Sequence, residues 1–349
     1  MAQNINNHKI KGGRSVRSRW ILLLWVAPAA ALCLGLAWGR YQVSLTDVLL
    51  ILGNALGLPA SGGWSSVAQT VVLDVRLPRV LAAMLIGGGL SVSGASFQGL
   101  FRNPLVSPYV LGVASGAGFG AALGIIIWNQ PVMIQGCAFI FGMTAVICAW
   151  LMSRIYKASG TMVIVLAGVI VGAFFQSLLS LIKFLADPDD KLPMIVYWLM
   201  GSLSSISMKD IYTILLPLGV CIIGLLMVRW RLNVLSFGDE EARTLGVEAG
   251  RLRFGIVVAV TVITASAVSV SGIIGWVGLV VPHLARMIVG PDYRKLIPAS
   301  LALGACYLVL IDGIARNISS AEIPLGILTA TVGAPFFAWL LGRGRTGWA

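Results

Sequence analysis

Apolar runs of membrane-crossing length follow one another along this chain, with only short polar stretches between them. They are Trp20–Gly39, Val80–Leu100, Tyr109–Ile127, Val132–Met152, Met162–Leu185, Ile211–Val228, Phe254–Ser271, Ile273–Val289, Ile297–Ile314 and Leu325–Gly342. A helix needs about 20 apolar residues to cross the hydrocarbon, where backbone N–H and C=O groups must be satisfied within the segment itself. The runs predict an all-α polytopic membrane protein of about ten transmembrane helices. Composition agrees, because 58% of the 349 residues are hydrophobic and only 11% are charged, against about 25% charged in an ordinary soluble protein. That shortage excludes a water-soluble enzyme, a secreted disulfide scaffold and a nucleic-acid-binding domain, in spite of a formal charge of +12. Val43–Leu58 and Leu192–Ser205 read as amphipathic helices at the outer surface.

The basic residues orient the chain. With the N-terminus inside, eighteen of the 25 Lys and Arg fall on the cytoplasmic side; the other seven are Arg40, Arg76, Arg79, Lys183, Lys191, Lys209 and Arg316. This asymmetry predicts an even number of spans with both termini cytoplasmic. The expected organisation is a basic tail over 1–19, one transmembrane domain over 20–342 with a cytoplasmic loop at 229–253, and a short tail over 343–349. The first run reads as a retained helix, not a cleaved signal. All five cysteines lie inside spans without metal-ligand spacing, and neither histidine belongs to a cluster, so neither a metal nor a cofactor is expected.

Small residues mark helix packing. Gly112, Gly116, Gly120 and Gly124 share one face of the third run, and Gly87, Ser91 and Ala95 share one in the second, which lets neighbouring backbones approach. Gly275, Gly278 and Pro282 interrupt the eighth run, which suits a half-length helix buried in protein.

Ionisable groups at membrane depth are few. Asp312 and Arg316 stand one helical turn apart and read as an ion pair, as do Lys183 and Asp187. No run carries a central carboxylate pair or histidine relay, which argues against an ion-coupled secondary transporter, the rival class. The phosphate-binding Gly-x-x-x-x-Gly-Lys-Ser/Thr pattern is absent too, so a separate ATPase must supply any nucleotide hydrolysis. Within the loop Arg229–Arg253, residues Gly238–Gly246 read as a short helix, with Asp239 as its cap, Glu240 and Glu241 at its positive end and Gly246 as its stop. Two turns of helix are marginal alone in water, so this one is expected to dock on a partner. On the outer side, Arg76-Leu77-Pro78-Arg79 opens the second helix with Pro in its first turn. Two guanidiniums there oppose the helix dipole and read either as headgroup anchors or, with Arg316, as ligands for a partner's carboxylates.

These segments resemble the permease subunits of ABC importers for iron-siderophores, haem and cobalamin, the type II importer fold, over roughly Val43 to Gly342. The matching stretches are Arg76–Ala83, Gly94–Leu105, Leu111–Gly116, Tyr197–Gly201, Gly238–Gly246, Gly275–Arg286 and Glu322–Phe337. The resemblance implies a homodimer in the bacterial cytoplasmic membrane, two cytoplasmic ATP-binding subunits and a periplasmic or lipoprotein substrate-binding protein. It implies that Gly238, Asp239, Glu240, Glu241, Ala242, Arg243, Leu245 and Gly246 couple to the ATPase. It implies further that Arg76, Arg79 and Arg316 receive the binding protein, and that Asn103, Leu105, Gly160 and Thr161 close the path on the cytoplasmic side. Gly160 stands where the family pattern has a polar residue. An iron-siderophore is the expected substrate, with haem and cobalamin as alternatives.

Overall fold

The computed structural model describes residues 24, 26–58, 63–155, 161–319 and 321–343, leaving aside the side chains of 161, 239, 341 and 343. Among the described residues, each of the ten apolar runs overlaps a helix. In chain order these and the connecting helices are α1 (Val26–Ala37), α2 (Leu45–Ala55), α3 (Ser66–Thr70), α4 (Leu77–Leu100), α5 (Val113–Ile127), α6 (Pro131–Ile155) and α7 (Thr161–Leu185). They continue with α8 (Lys191–Leu199), α9 (Met208–Phe237), α10 (Asp239–Thr244), α11 (Ala249–Ser271), α12 (Val277–Val289), α13 (Tyr293–Ile318) and α14 (Leu325–Arg343). Among the described residues, six helices are long and apolar enough to cross a membrane: Ser66–Leu100, α6, Met162–Leu185, α9, α11 and α13. The helices α1, α5, α12 and α14 are shorter. The half-length reading of the eighth run is met by α12, at 13 residues.

The hub is α4, with 83% of its most apolar stretch buried against 28% for α6, α7 and α9. Its small residues explain why. A Cβ at Gly94 would fall onto the Gly278 carbonyl oxygen of α12, and one at Gly87 onto the Gly304 carbonyl oxygen of α13. Contact at backbone range is what stripes of small residues achieve where lipid supplies no hydrophobic drive between helices. The helices α9, α11, α12 and α13 surround α4, while α5, α6 and α7 form a second packet with α8 at its edge. The third-run glycines serve that packet, with Gly116 and Gly120 set against the Phe141 and Cys137 carbonyls of α6. Gly112 does something else: at φ 84° it is the turn that starts α5.

Two local expectations are corrected. The second helix does not open at Arg76; it starts at Ser66 and reaches α4 through a π turn at Val71–Arg76. Pro78 has no N–H to give, and the wider turn just before it lets the helix continue past the missing bond. The loop expected over 229–253 also shrinks. Residues 229–237 complete α9 and α11 begins at Ala249, which leaves only 238–248 between them.

Irregular backbone within the bundle finds partners on neighbouring segments. The break between α11 and α12 meets the end of α8 and the start of α14: Ser202 N–H donates to Ser271 O (2.8 Å), Leu325 N–H to Gly201 O (2.9 Å) and the Tyr109 hydroxyl to Ile274 O (2.7 Å). Broken helices survive at membrane depth only where protein supplies such partners.

Candidate functional sites at the two ends of the bundle

At one end, three arginines converge from separate elements. Arg79 donates through Nε to Asp312 Oδ1 (2.8 Å), and its Nη1 lies 2.8 Å from Glu322 Oε2. Arg316 Nε stands 3.1 Å from Asp312 Oδ2, an ionic contact without hydrogen-bond alignment. Arg76 donates to the carbonyls of Leu36 (2.7 Å), Ala37 (3.1 Å) and Tyr41. Arg316 Nη2 reaches Gly35 O at 3.2 Å. Arg40 Nε donates to Arg316 O at 2.9 Å and its Nη2 to Ser319 O. The last carbonyls of a helix have no partner of their own. Here guanidiniums close the ends of α1 and α13, at the negative pole of each dipole.

The three arginines, expected to anchor headgroups or to meet a partner's carboxylates, are engaged within the protein itself. The side chains of Arg76, Arg79 and Arg316 are buried, with residue exposures of 4%, 6% and 7%. The dipole argument fails at α4, because the helix runs on from Ser66 and leaves no free N-terminus at Arg76; the charges lie instead at the favourable ends of α1 and α13. The Asp312–Arg316 pair is present, and Arg79 joins it. Sequence reasoning missed Glu322 and Arg40. Glu322 had a signal, as it is the only carboxylate residue after Asp312 in the chain. The Lys183–Asp187 reading changes as well: Asp187 Oδ1 accepts from the N–H groups of Asp189 (2.9 Å) and Asp190 (3.1 Å), tying a turn.

At the other end, α10 forms a short projection between α9 and α11. It starts at Gly238, whose φ of 134° reverses the chain after α9, so the capping position belongs to that glycine and Asp239 is the first helical residue. Glu240, Glu241, Arg243 and Leu245 are exposed, while Ala242 is fully buried and anchors the helix through Val247 N–H to Ala242 O (2.8 Å). Gly246, at φ 74°, ends it. Nearby, Asn103 Oδ1 accepts from Leu105 N–H (2.9 Å) and holds a turn that leaves Leu105 exposed. Thr161 starts α7, and Gly160 lies outside the described residues. Asp292 caps α13 at this end. Burial works to raise its pKa, but bonds from Arg294 N–H and the Asn233 amide, with the charges of Arg294 and Lys295, hold the carboxyl below its ordinary value.

A chain with this helix order, a broken α11–α12 segment and an exposed helix of acids and arginine between α9 and α11 has relatives. The model of the FecCD transport family matches residues 24–343. The chain belongs to the FecCD transport family. Its members are permease subunits of ABC transporters, and this FecCD permease has the type II importer fold. It is similar to the molybdate import system permease protein of Haemophilus influenzae, at 38% identity covering 93% of this chain and 95% of the relative. It is 43% identical to a probable iron chelatin transport system permease of Helicobacter pylori, over 79% of this chain and 83% of that one. An inward-facing structure of a metal-chelate type ABC transporter superposes with a TM-score of 0.82 at 36% identity, covering 92% of this chain and 97% of the other.

Proposed function

We propose that this FecCD permease forms, as a homodimer in the bacterial cytoplasmic membrane with both termini inside, the translocation path for an iron-siderophore or a related metal chelate. The observation that carries the reading is α10, a helix of six residues that leaves Glu240, Glu241 and Arg243 exposed in a chain with no phosphate-binding loop of its own. A short helix with one buried anchor gains little by folding alone, and its exposed charges suit the cleft of a cytoplasmic ATPase. Docking through Glu240, Glu241, Arg243, Leu245 and Gly246 would transmit closure of two ATPase subunits to α9 and α11.

The permease pairs with a second copy across the apolar faces that one chain leaves open. On α7 these include Leu166, Val169, Ile170 and Phe174, and on α14 Ile327 and Val332. Path and closure follow from the same faces, with Asn103, Leu105 and Thr161 at the inner mouth. A binding protein docks at the other end. Glu322 is about one-third exposed while Arg79 is not, so a partner's carboxylate reaches Arg79 by exchanging with Glu322, and Arg76 and Arg316 hold the frame.

An iron chelate as substrate is supported by the Helicobacter relative and the metal-chelate structure. A molybdate reading rests on the Haemophilus relative, which covers more of the chain. Reconstitution of the complete complex with its binding protein separates them. Ferric siderophore should stimulate ATP hydrolysis and vesicle uptake where molybdate does not; stimulation by molybdate alone overturns the chelate assignment.

A further inference from the structure

The end of the bundle that carries α10 also holds a cavity that coupling does not use. It has a volume of about 910 Å3 and lies between the end of α4, the end of α9 and the α12–α13 turn. Arg102, Arg286 and Arg294 line it from three different elements. The one carboxylate among its walls, Asp292, is turned to α9 and the start of α13: its Oδ1 accepts from Asn233 Nδ2 (2.7 Å) and from Arg294 N–H (3.0 Å). Arg286 is half-buried and donates to Gln98 Oε1 (3.1 Å), while Arg102 donates to Leu235 O (3.1 Å). Arg102 is held in the left-handed region at φ 50°, a conformation that costs a non-glycine residue energy and persists where the surroundings impose it. Three cations facing one engaged carboxylate make a concave surface that selects anions.

A second feature gives the anion its class. Trp230 and Arg294 also line a groove of about 560 Å3 that continues up α9 past Ile223, Leu226 and Met227. Residues 223, 226, 227 and 230 recur at helical spacing, so they form one stripe from the apolar flank of a membrane-crossing helix to the arginine cavity. Trp230 stands at the junction, where an indole suits the boundary between hydrocarbon and headgroups. A soluble anion needs no such stripe, whereas a phospholipid needs both parts. We propose that Arg102, Arg286 and Arg294 bind the phosphate of an anionic phospholipid from the leaflet on the α10 side, with one acyl chain laid along Ile223, Leu226 and Met227. Basic pockets between transmembrane helices recognise anionic headgroups in this way. The three arginines are none of the residues assigned above to coupling or closure, although Asn103 of the closure also lines the cavity.

The test uses the full-length permease in nanodiscs of equal dioleoyl phosphatidylglycerol and dioleoyl phosphatidylcholine, with retained lipid read by native mass spectrometry. Phosphatidylglycerol should be retained over phosphatidylcholine, and Arg286→Gln with Arg294→Gln should cut that preference on the order of tenfold. Arg231→Gln with Arg251→Gln, which removes one charge from α9 and one from the start of α11 in a separate pocket, should leave it unchanged. If the first double variant fails to fold, Arg294→Gln alone at an exposed position should still lower the preference, with its unfolding midpoint in phosphatidylcholine unchanged. Equal retention of the two lipids by the unaltered protein, or full preference in Arg286→Gln/Arg294→Gln, overturns the proposal. So does displacement of phosphatidylglycerol by inorganic phosphate, which marks a soluble-anion site. Loss of the preference in the complete complex with its ATPase subunits also overturns it, since the cavity then belongs to that interface.

Discussion

The two ends of the bundle use the same kinds of charged residue and reach opposite outcomes. At the arginine end, Arg79, Asp312 and Arg316 face one another in the interior, and Glu322 meets Arg79 from the rim. At the α10 end, Glu240, Glu241 and Arg243 come from one segment and face outward, with Ala242 committed to the core. The difference is one of desolvation. Buried charges are tolerable only in mutual company, so each member of the first group depends on the others. Charges in water are cheap singly and are free to meet a partner. The first end is therefore a fastening, and the second is available to another protein.

Removing a shared counter-charge should strain this contrast most. Asp312→Ala leaves Arg79 and Arg316 buried around an empty position, and breaking a buried pair in this way costs about 3–5 kcal/mol. A large fall in the detergent unfolding midpoint and in folded yield is expected; an unchanged midpoint would falsify the fastening. Next comes the hub that carries the fastening. Gly94→Ala puts a methyl onto the Gly278 carbonyl oxygen, and overpacking at a backbone contact costs about 1–3 kcal/mol. The control is Gly224→Ala on α9, where an added Cβ meets nothing within 4 Å; its midpoint should hold.

The contrast also explains what was legible in the sequence. The helices announced themselves because a 20-residue apolar run has few other uses, and the half-length α12 was marked by Gly275, Gly278 and Pro282 within its run. Ion pairing of Asp312 with Arg316 was visible because it obeys helical spacing. Arg79 with Asp312 was not, because 233 residues separate them and only the packing of α4 on α13 joins them. The arginines looked external since topology rules sort residues by side of the membrane and carry no information about depth. At the α10 end the motif was legible as a local pattern, yet its length was overestimated. Nothing in residues 229–237 marks the boundary between a helix in lipid and the same helix continuing into water.

A milder change separates the members of the arginine group. Glu322 is partly exposed, so Glu322→Gln forfeits an ion pair already screened by solvent, and about 1 kcal/mol or less is expected. If Glu322 is the residue an incoming carboxylate displaces, its removal should leave stability nearly intact and strengthen binding-protein capture in a pull-down. Capture weakened to the same degree as by Arg79→Gln would instead make Glu322 part of the docking surface.

The smallest effect on stability is expected at α10, where it is also the most informative. Glu240→Ala with Glu241→Ala removes two exposed side chains from a short helix held by Ala242, and surface substitutions of this kind stay within about 0.5 kcal/mol. The unfolding midpoint should not move. If these residues meet an ATPase, the variant should still bind substrate-loaded binding protein at the far end while vesicle uptake falls well below that of the unaltered complex. A variant that loses stability and uptake together would show α10 to be a fastening like the arginine cluster, and the division between the two ends would collapse. A variant that keeps full uptake would leave the fastening intact and move the ATPase contact to another part of the same face.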